Sequence, residues 1–105
     1  QTFEVADGGT GNLGSWIAPF ACKVVGGGGY KTDGNGALGD LIELNTSAPA
    51  AVVTWDLNVN NELPVGAAVD DSIATIAAGT SLTVKRTAAG GGNCAANVFF
   101  DVIPA

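Results

Sequence analysis

The sequence predicts an all-β domain, a single antiparallel β-sandwich or jelly roll with a short N-terminal arm. Short apolar segments alternate with polar residues, and breaks rich in glycine or containing proline separate them about every 8–12 residues. No segment keeps helical spacing over the roughly 11 residues that a confident helix assignment needs. With 105 residues, the chain has the size of one domain with one core.

The first 15 residues are predicted to be an N-terminal arm or loop, and residues 16–105 the sandwich domain. Apart from Phe3 and Val5, this arm has little patterned apolar character. Residues 7–14 include four glycines, which permit turns that other residues resist.

Residues 16–25 predict the first strand. Alternation along this strand places Trp16, Phe20 and Cys22 on the core side. Pro19 cannot donate a backbone hydrogen bond, so it marks a strand edge, a bulge or a break between two short strands. The four glycines at 26–29 are interpreted as the loop that ends this unit.

The Asp33-Gly-Asn-Gly segment predicts a tight hairpin turn. Further strands with alternating apolar side chains are predicted over residues 40–46, 52–59, 81–87 and 94–103. Ile42 and Leu44 share one side of the first of these strands, and in the strand over 81–87 Leu82 and Val84 are predicted to face inward and Lys85 outward. The segment 60–69 contains Pro64 and Gly66 and is interpreted as a connection, and residues 72–77 as a weak strand or one helical turn.

Charge and composition exclude several classes of partner. Ten acidic against four basic residues give a net charge of −6, and only Lys85 and Arg86 are adjacent bases, so no nucleic-acid partner is expected. No apolar run approaches the roughly 20 residues of a membrane helix, and no secretory signal is recognisable. Charged residues make up 13% of the chain, about half the usual share. This predicts a neutral, apolar-leaning surface that a partner can cover.

The residues offer little catalytic chemistry. The chain has no histidine, which excludes a Ser-His-Asp triad, a Cys-His pair and ordinary zinc sites. We therefore predict no enzyme, no catalytic residue and no cofactor. Asp33, Asn35 and Asp40 are the oxygen ligands of an alternative calcium loop, but the spaced acids and closing glutamate of such loops are missing, so a turn is favoured.

Two cysteines and two tryptophans have alternative interpretations. Cys22 and Cys94 each fall on the apolar side of a predicted strand, which favours buried free thiols. A disulfide between them is the alternative, and it needs Cα atoms within about 7 Å. Trp55 alternates with Val53 and Leu57, so core burial is favoured over a sugar-stacking platform.

Three short sequence motifs, taken in their order along the chain, resemble motifs of a known family. They are Ile17-Ala-Pro-Phe-Ala-Cys-Lys-Val, Ala78-Gly-Thr-Ser-Leu-Thr-Val and Asn97-Val-Phe-Phe-Asp-Val. Together they are similar to phrases of the small jelly-roll modules in virion proteins of tailed bacteriophages, and they frame residues 16–103. The match departs at Thr80, where the family usually has aspartate.

The resemblance implies a structural virion protein, a capsid decoration (cement) protein that stabilises a phage capsid from outside. It implies the major capsid protein as partner, a homotrimer as the assembled state, and a place on the capsid exterior after assembly in the host cytoplasm. We hypothesise that the arm contacts the capsid through Phe3 and Val5. A receptor- or glycan-binding fibre tip and an extracellular filament subunit are the alternatives.

Overall fold

The computed structural model describes residues 2–5, 11–33, 41–57, 64–88 and 95–105 of the chain. Within these ranges the chain consists of β-strands joined by turns and bends, without a helix, so the predicted all-β class is confirmed. The strands are β1 (Thr2–Val5), β2 (Gly11–Ile17), β3 (Cys22–Asp33), β4 (Leu41–Asn45), β5 (Ala51–Asp56), β6 (Pro64–Val69), β7 (Thr75–Ile76), β8 (Ser81–Ala88) and β9 (Ala95–Pro104).

The strands form two halves that share β6. Antiparallel backbone pairing follows the order β1-β9-β3-β6-β5-β4-β8-β2, and β7 pairs with β3 beside this path. The first part of β6, residues 64–66, pairs with residues 28–30 of β3, whereas residues 67–69 pair with residues 53–55 of β5. Strand β6 thus connects the β3 half (β1, β9, β3 and β7) to the β8 half (β2, β8, β4 and β5) in a sandwich-like arrangement.

Alternating apolar side chains fill the core. In β9, Ala96, Val98 and Phe100 are buried and the residues between them are exposed. Strand β8 buries Leu82 and Val84 in the same way and exposes Lys85, as predicted. The predicted core residues of β4 and β5 are also fully buried: Ile42, Leu44, Val53 and Trp55.

The two tryptophans connect the halves across the core. The indole Nε1 of Trp55 donates hydrogen bonds to the carbonyl oxygens of Gly28 (2.9 Å) and Phe99 (3.2 Å). Partly buried Trp16 packs edge-on against Phe100, with ring centroids 5.1 Å apart and planes at 82°. The predicted core burial of Trp55 is confirmed, and its only polar group is satisfied there.

A break at Pro19 divides the predicted first strand, because β2 ends at Ile17 and β3 begins at Cys22. Ala18 is held by two backbone hydrogen bonds, since its N–H donates to the Thr80 carbonyl (2.9 Å) and its carbonyl accepts from the Gly79 N–H (2.8 Å). Gly79 has a φ of +81°, a value that favours glycine. The predicted core position of Phe20 is wrong, because alternation is not kept across the break, and this side chain is 44% exposed.

The N-terminal segment differs from the predicted arm or loop over residues 1–15. Residues 2–5 form β1 and pair with residues 96–99 of β9, and residues 11–17 form β2, which pairs with β8. The alternation of Thr2-Phe-Glu-Val is itself a strand pattern. Both strands give partners to backbone groups of β9 and β8 that otherwise face an open edge.

The interpretation of residues 26–29 as a loop is wrong, because β3 continues through all four glycines to Asp33. A Cβ atom on Gly27 would lie 2.6 Å from the Phe99 carbonyl oxygen, and one on Gly29 would lie 2.6 Å from that of Asn97. Such distances are too short for any side chain. Glycine is therefore needed here for the close approach of two strands, not for a turn.

Two further predictions are corrected by the pairing. Strands β3 and β4 do not form the predicted hairpin, since β4 pairs with β5 and β8 in the other half; residues 34–36 of the predicted turn lie outside the described residues. The prediction of a connection over residues 60–69 is wrong from Pro64 onward, where β6 begins. Proline is tolerated at the first position of a strand, and Gly66 is the last residue of β6 that pairs with β3.

Candidate interaction surface

The side of β3 and β9 that faces away from the core is here called the β3–β9 outer face. Its side chains are those of Lys23, Val25, Tyr30, Asn97, Phe99, Asp101 and Ile103. Four large apolar side chains on this face are between 38% and 57% exposed: Phe99, Val25, Ile103 and Tyr30. Only Ile17 and Phe20 are comparably exposed elsewhere in the described part of the chain. Exposed apolar side chains grouped on one surface are typical of interaction sites.

A lane without side chains runs beside Phe99. The β3–β9 register sets Gly28 opposite Phe99 and Gly26 opposite Asp101, and Gly66 of β6 lies opposite Gly28 on its other side. A Cβ atom built on Gly26 or Gly66 would meet no atom within 4 Å, so the space above both is open. Gly28, between Phe99 and Gly66, is buried, so we call Gly26 and Gly66 the glycine lane.

The described charges of this face cancel. Among the side chains of the face that the structure describes, Lys23 and Asp101 are the charged ones and both are exposed, whereas the whole chain carries −6. The cores of protein–protein interfaces are depleted in charged residues and enriched in aromatic ones. The low charge content of the sequence predicts a neutral, apolar-leaning surface without indicating its place in the fold. The alternation of Phe99 and Ile103 against the buried Val98 and Phe100 was the signal for β9.

Two of the four basic residues lie inside the protein. Lys31 is only 3% exposed, and its Nζ atom has no hydrogen-bond partner in the structure. Arg86 is fully buried and has an interaction partner. The outward position predicted for Lys85 implied an inward Arg86, because neighbours in a strand face opposite sides. Lys31 had no such signal, since it follows the glycine run that was interpreted as a loop.

Cys22 is a fully buried free thiol, as the favoured interpretation predicted, and burial raises the pKa of this thiol. Cys94 lies outside the described residues and directly precedes Ala95. Cys22 pairs with Pro104, at the other end of β9 from Ala95. The nine steps between these positions (104 − 95) correspond to roughly 30 Å at about 3.3 Å per residue. This register opposes a Cys22–Cys94 disulfide, whose Cα atoms must lie within about 7 Å.

The acidic residues of the described turns form no ion site. Oδ1 of Asp70 accepts hydrogen bonds from the Ser72 hydroxyl (2.6 Å) and backbone N–H (3.0 Å), which lowers the pKa of the Asp70 carboxyl. No three His, Cys, Asp or Glu residues come together as a metal site within the described ranges. The side chain of Asp33, together with Asn35 and Asp40, lies outside those ranges, so the calcium alternative stays a prediction.

Phe3 and Val5, the hypothesised capsid contacts, belong to the edge strand β1, with backbones opposite Val98 and Ala96 of β9. Their side chains lie outside the described part of the structure.

No protein-family model, curated protein or solved structure matches the chain. Across the described residues, no helix has the length and apolar character to cross a membrane.

Proposed function

We propose that this chain is a structural virion protein that decorates and stabilises a tailed-phage capsid by binding its outer shell as a homotrimer. The partner would be the major capsid protein, and the site the capsid exterior. Support comes from the ordered phrases that begin at Ile17, Ala78 and Asn97 and resemble jelly-roll modules of phage virion proteins. In the folded chain they lie at the β2–β3 break, at the turn before β8, and in β9.

We also infer that the fold is a jelly roll. Four strands are ordered β1-β9-β3-β6 and four are ordered β2-β8-β4-β5. The chain crosses repeatedly between the halves, so most neighbouring strands are distant in sequence. Double-sheet jelly rolls have eight strands and occur in viral capsid and lectin domains. The strand order is compatible with the proposed role, although fold alone does not define function.

The observation that carries the proposed function is the β3–β9 outer face. It combines exposed aromatic and aliphatic side chains with no net charge, which is the composition expected of a protein-binding surface. A decoration protein needs such surfaces for its own assembly and for the shell. Its binding energy then adds to the stability of the shell by mass action.

The hypothesised capsid contacts are best tested by substitution. Deleting residues 1–12 would remove β1 and the first two residues of β2, so lost binding could reflect lost structure. Phe3→Ala with Val5→Ala keeps the backbone of β1. We expect this double variant to bind capsids at least about tenfold more weakly, whereas Phe20→Ala, an exposed aromatic at the β2–β3 break, binds normally.

The proposed function is tested by cosedimentation with capsids assembled without this protein. Saturable binding, with copies bound in multiples of three and a raised melting temperature of the shell, is the expected result. A protein that stays in the supernatant at every concentration contradicts decoration. Normal binding by the Phe3/Val5 double variant would refute only the assigned contacts.

A glycan-binding module is the second candidate, because Tyr30 and Phe99 are exposed aromatic side chains on one face. Aromatic rings can stack on apolar faces of sugars while polar groups remain wet. Binding to a host-surface polysaccharide that is lost in Tyr30→Ala, without cosedimentation with capsids, would favour this candidate.

A further inference from the structure

We propose that the β3–β9 outer face is where one copy of this chain binds a second copy. The inference supplies the subunit contact of the homotrimer and rests on the proposed function for its biological setting.

The two strands of this face are complementary in size. Each cross-strand pair is here called a rung. Phe99 shares its rung with Gly28, and Asp101 shares the next with Gly26, so the larger side chain of both rungs belongs to β9. Gly66 of β6 lies opposite Gly28, so the first rung continues onto β6 without a side chain. The face therefore has a raised column on β9 and a low column along the glycine lane.

This asymmetry suits closed assembly about an axis parallel to the strands. Rotation about such an axis keeps each rung at its own height and brings the β9 column of one copy against the glycine lane of the next. Phe99 then meets the exposed Gly66 of the second copy, which lies at the same height, and Asp101 meets its Gly26. A large side chain over a glycine packs without voids, as interface cores require. Three-fold rotation closes this contact into a ring.

The charges of the β3–β9 outer face favour a second copy of the chain as its binding partner. Two chains that each carry −6 repel one another except where a neutral or complementary patch meets. Lys23 shares its rung with Ile103, next to the rung of Asp101. In the assembly described, Lys23 of one copy lies about one rung, roughly 7 Å along the strand, from Asp101 of the next. A lysine side chain spans that distance, so the face pairs with itself.

Charge reversal tests this pairing. The dissociation constant of self-association is measured by sedimentation equilibrium over a concentration series of the full chain. Lys23→Glu and Asp101→Lys alone should each raise it at least about tenfold, because like charges then face each other. The double variant should return to within about threefold of the wild type. Lys85→Glu, an exposed lysine of β8, is the matched control and should have little effect.

A steric variant keeps the test independent of charge. The space above Gly26 is open, so Gly26→Gln fits the single chain but fills the lane that the second copy would enter. We expect an unchanged far-ultraviolet circular dichroism spectrum and at least about tenfold weaker association. Retained association would overturn the assigned contact.

The wild type must self-associate for the proposal to stand. A protein that is monomeric at all concentrations overturns it, whether or not the face binds a polysaccharide or capsid. Failure of the double charge variant to restore association also overturns it. Capsid cosedimentation is measured separately. A trimer that does not bind capsids would refute the proposed function and would not contradict the proposed contact between subunits.

Discussion

Lys31 occupies a position that opposes its chemistry, because a buried ammonium group without a hydrogen-bond partner has lost its hydration uncompensated. Lys31→Met keeps a similar length and removes the charge. We expect the free energy of unfolding to rise by about 1–3 kcal/mol, measured by urea denaturation. The exposed Lys23→Met is the control and should change it by less than about 0.5 kcal/mol. A destabilised Lys31→Met would mean that the ammonium group makes a net favourable interaction in solution.

Burial of Cys22 makes stability depend on alkaline pH. The pKa of this thiol is raised in the folded protein above its ordinary value of 9.0. Above that pH the unfolded chain releases the proton first, so the unfolded state is favoured as pH rises towards the folded pKa. Below pH 9 this contribution to stability is fully present.

We therefore expect the free energy of unfolding to fall between pH 8 and pH 10.5, with part of the fall absent in Cys22→Ala. Urea denaturation under reducing conditions at several pH values measures both slopes. Both proteins share every other ionisable group, so the difference between the two slopes isolates Cys22. Equal slopes would show that Cys22 does not contribute.

At the scale of single elements, β3 depends on two of its four consecutive glycines more than on the others. Gly27→Ala would drive a methyl group against the Phe99 carbonyl oxygen, and Gly29→Ala against that of Asn97. We expect each to lower the free energy of unfolding by about 1–3 kcal/mol. Gly26→Ala meets open space and should be neutral or stabilise by about 0.5 kcal/mol through the unfolded state. Equal effects at positions 26 and 27 would refute the close approach of β3 and β9.

Elements with plain alternation were predictable from the sequence, and elements made by long-range pairing were not. Strands β8 and β9 have alternating apolar residues of strand-forming types, so their bounds and inward faces followed directly. Strand β3 was missed beyond Val25, because its glycines carry no hydrophobic pattern and are fixed by the backbone of β9. The start of β6 was also missed, because Pro64 is a residue that usually interrupts a strand and the pairing of β6 with β3 is not visible in the sequence.

The sequence predicted that a surface for a partner exists but not where on the fold it lies. Low charge content indicated a surface that a partner can cover, and the outward residues of β9 can be found by alternation. The glycine lane depends on the register that sets Gly28 between Phe99 and Gly66, and these residues are far apart in sequence. Only the assembled sheet brings them together.

At the scale of the whole molecule, two structural features join the halves, a shared strand and a pair of side-chain hydrogen bonds. Strand β6 pairs with β3 at one end and β5 at the other, so its backbone crosses from one half to the other. Trp55 of β5 donates hydrogen bonds to the backbones of β3 and β9. The inward glycines at 27 and 29 carry no side chains, which leaves space for a large ring from the opposite half. The glycine run thus has two roles: its inward residues leave space in the core, and its outward residues form part of the β3–β9 outer face.

This coupling predicts that the halves unfold together. Trp55→Phe keeps an aromatic ring but loses both indole hydrogen bonds and leaves a small cavity, so we expect the free energy of unfolding to fall by about 2–3 kcal/mol. Trp16→Phe is the matched control, because Trp16 is only partly buried and keeps a T-shaped contact with Phe100; it should cost about 1 kcal/mol or less. Circular dichroism and fluorescence of the remaining tryptophan should report one coincident transition in each variant, since β6 pairs with strands of both halves. Separate transitions would mean that the halves fold as independent units and that β6 does not couple them.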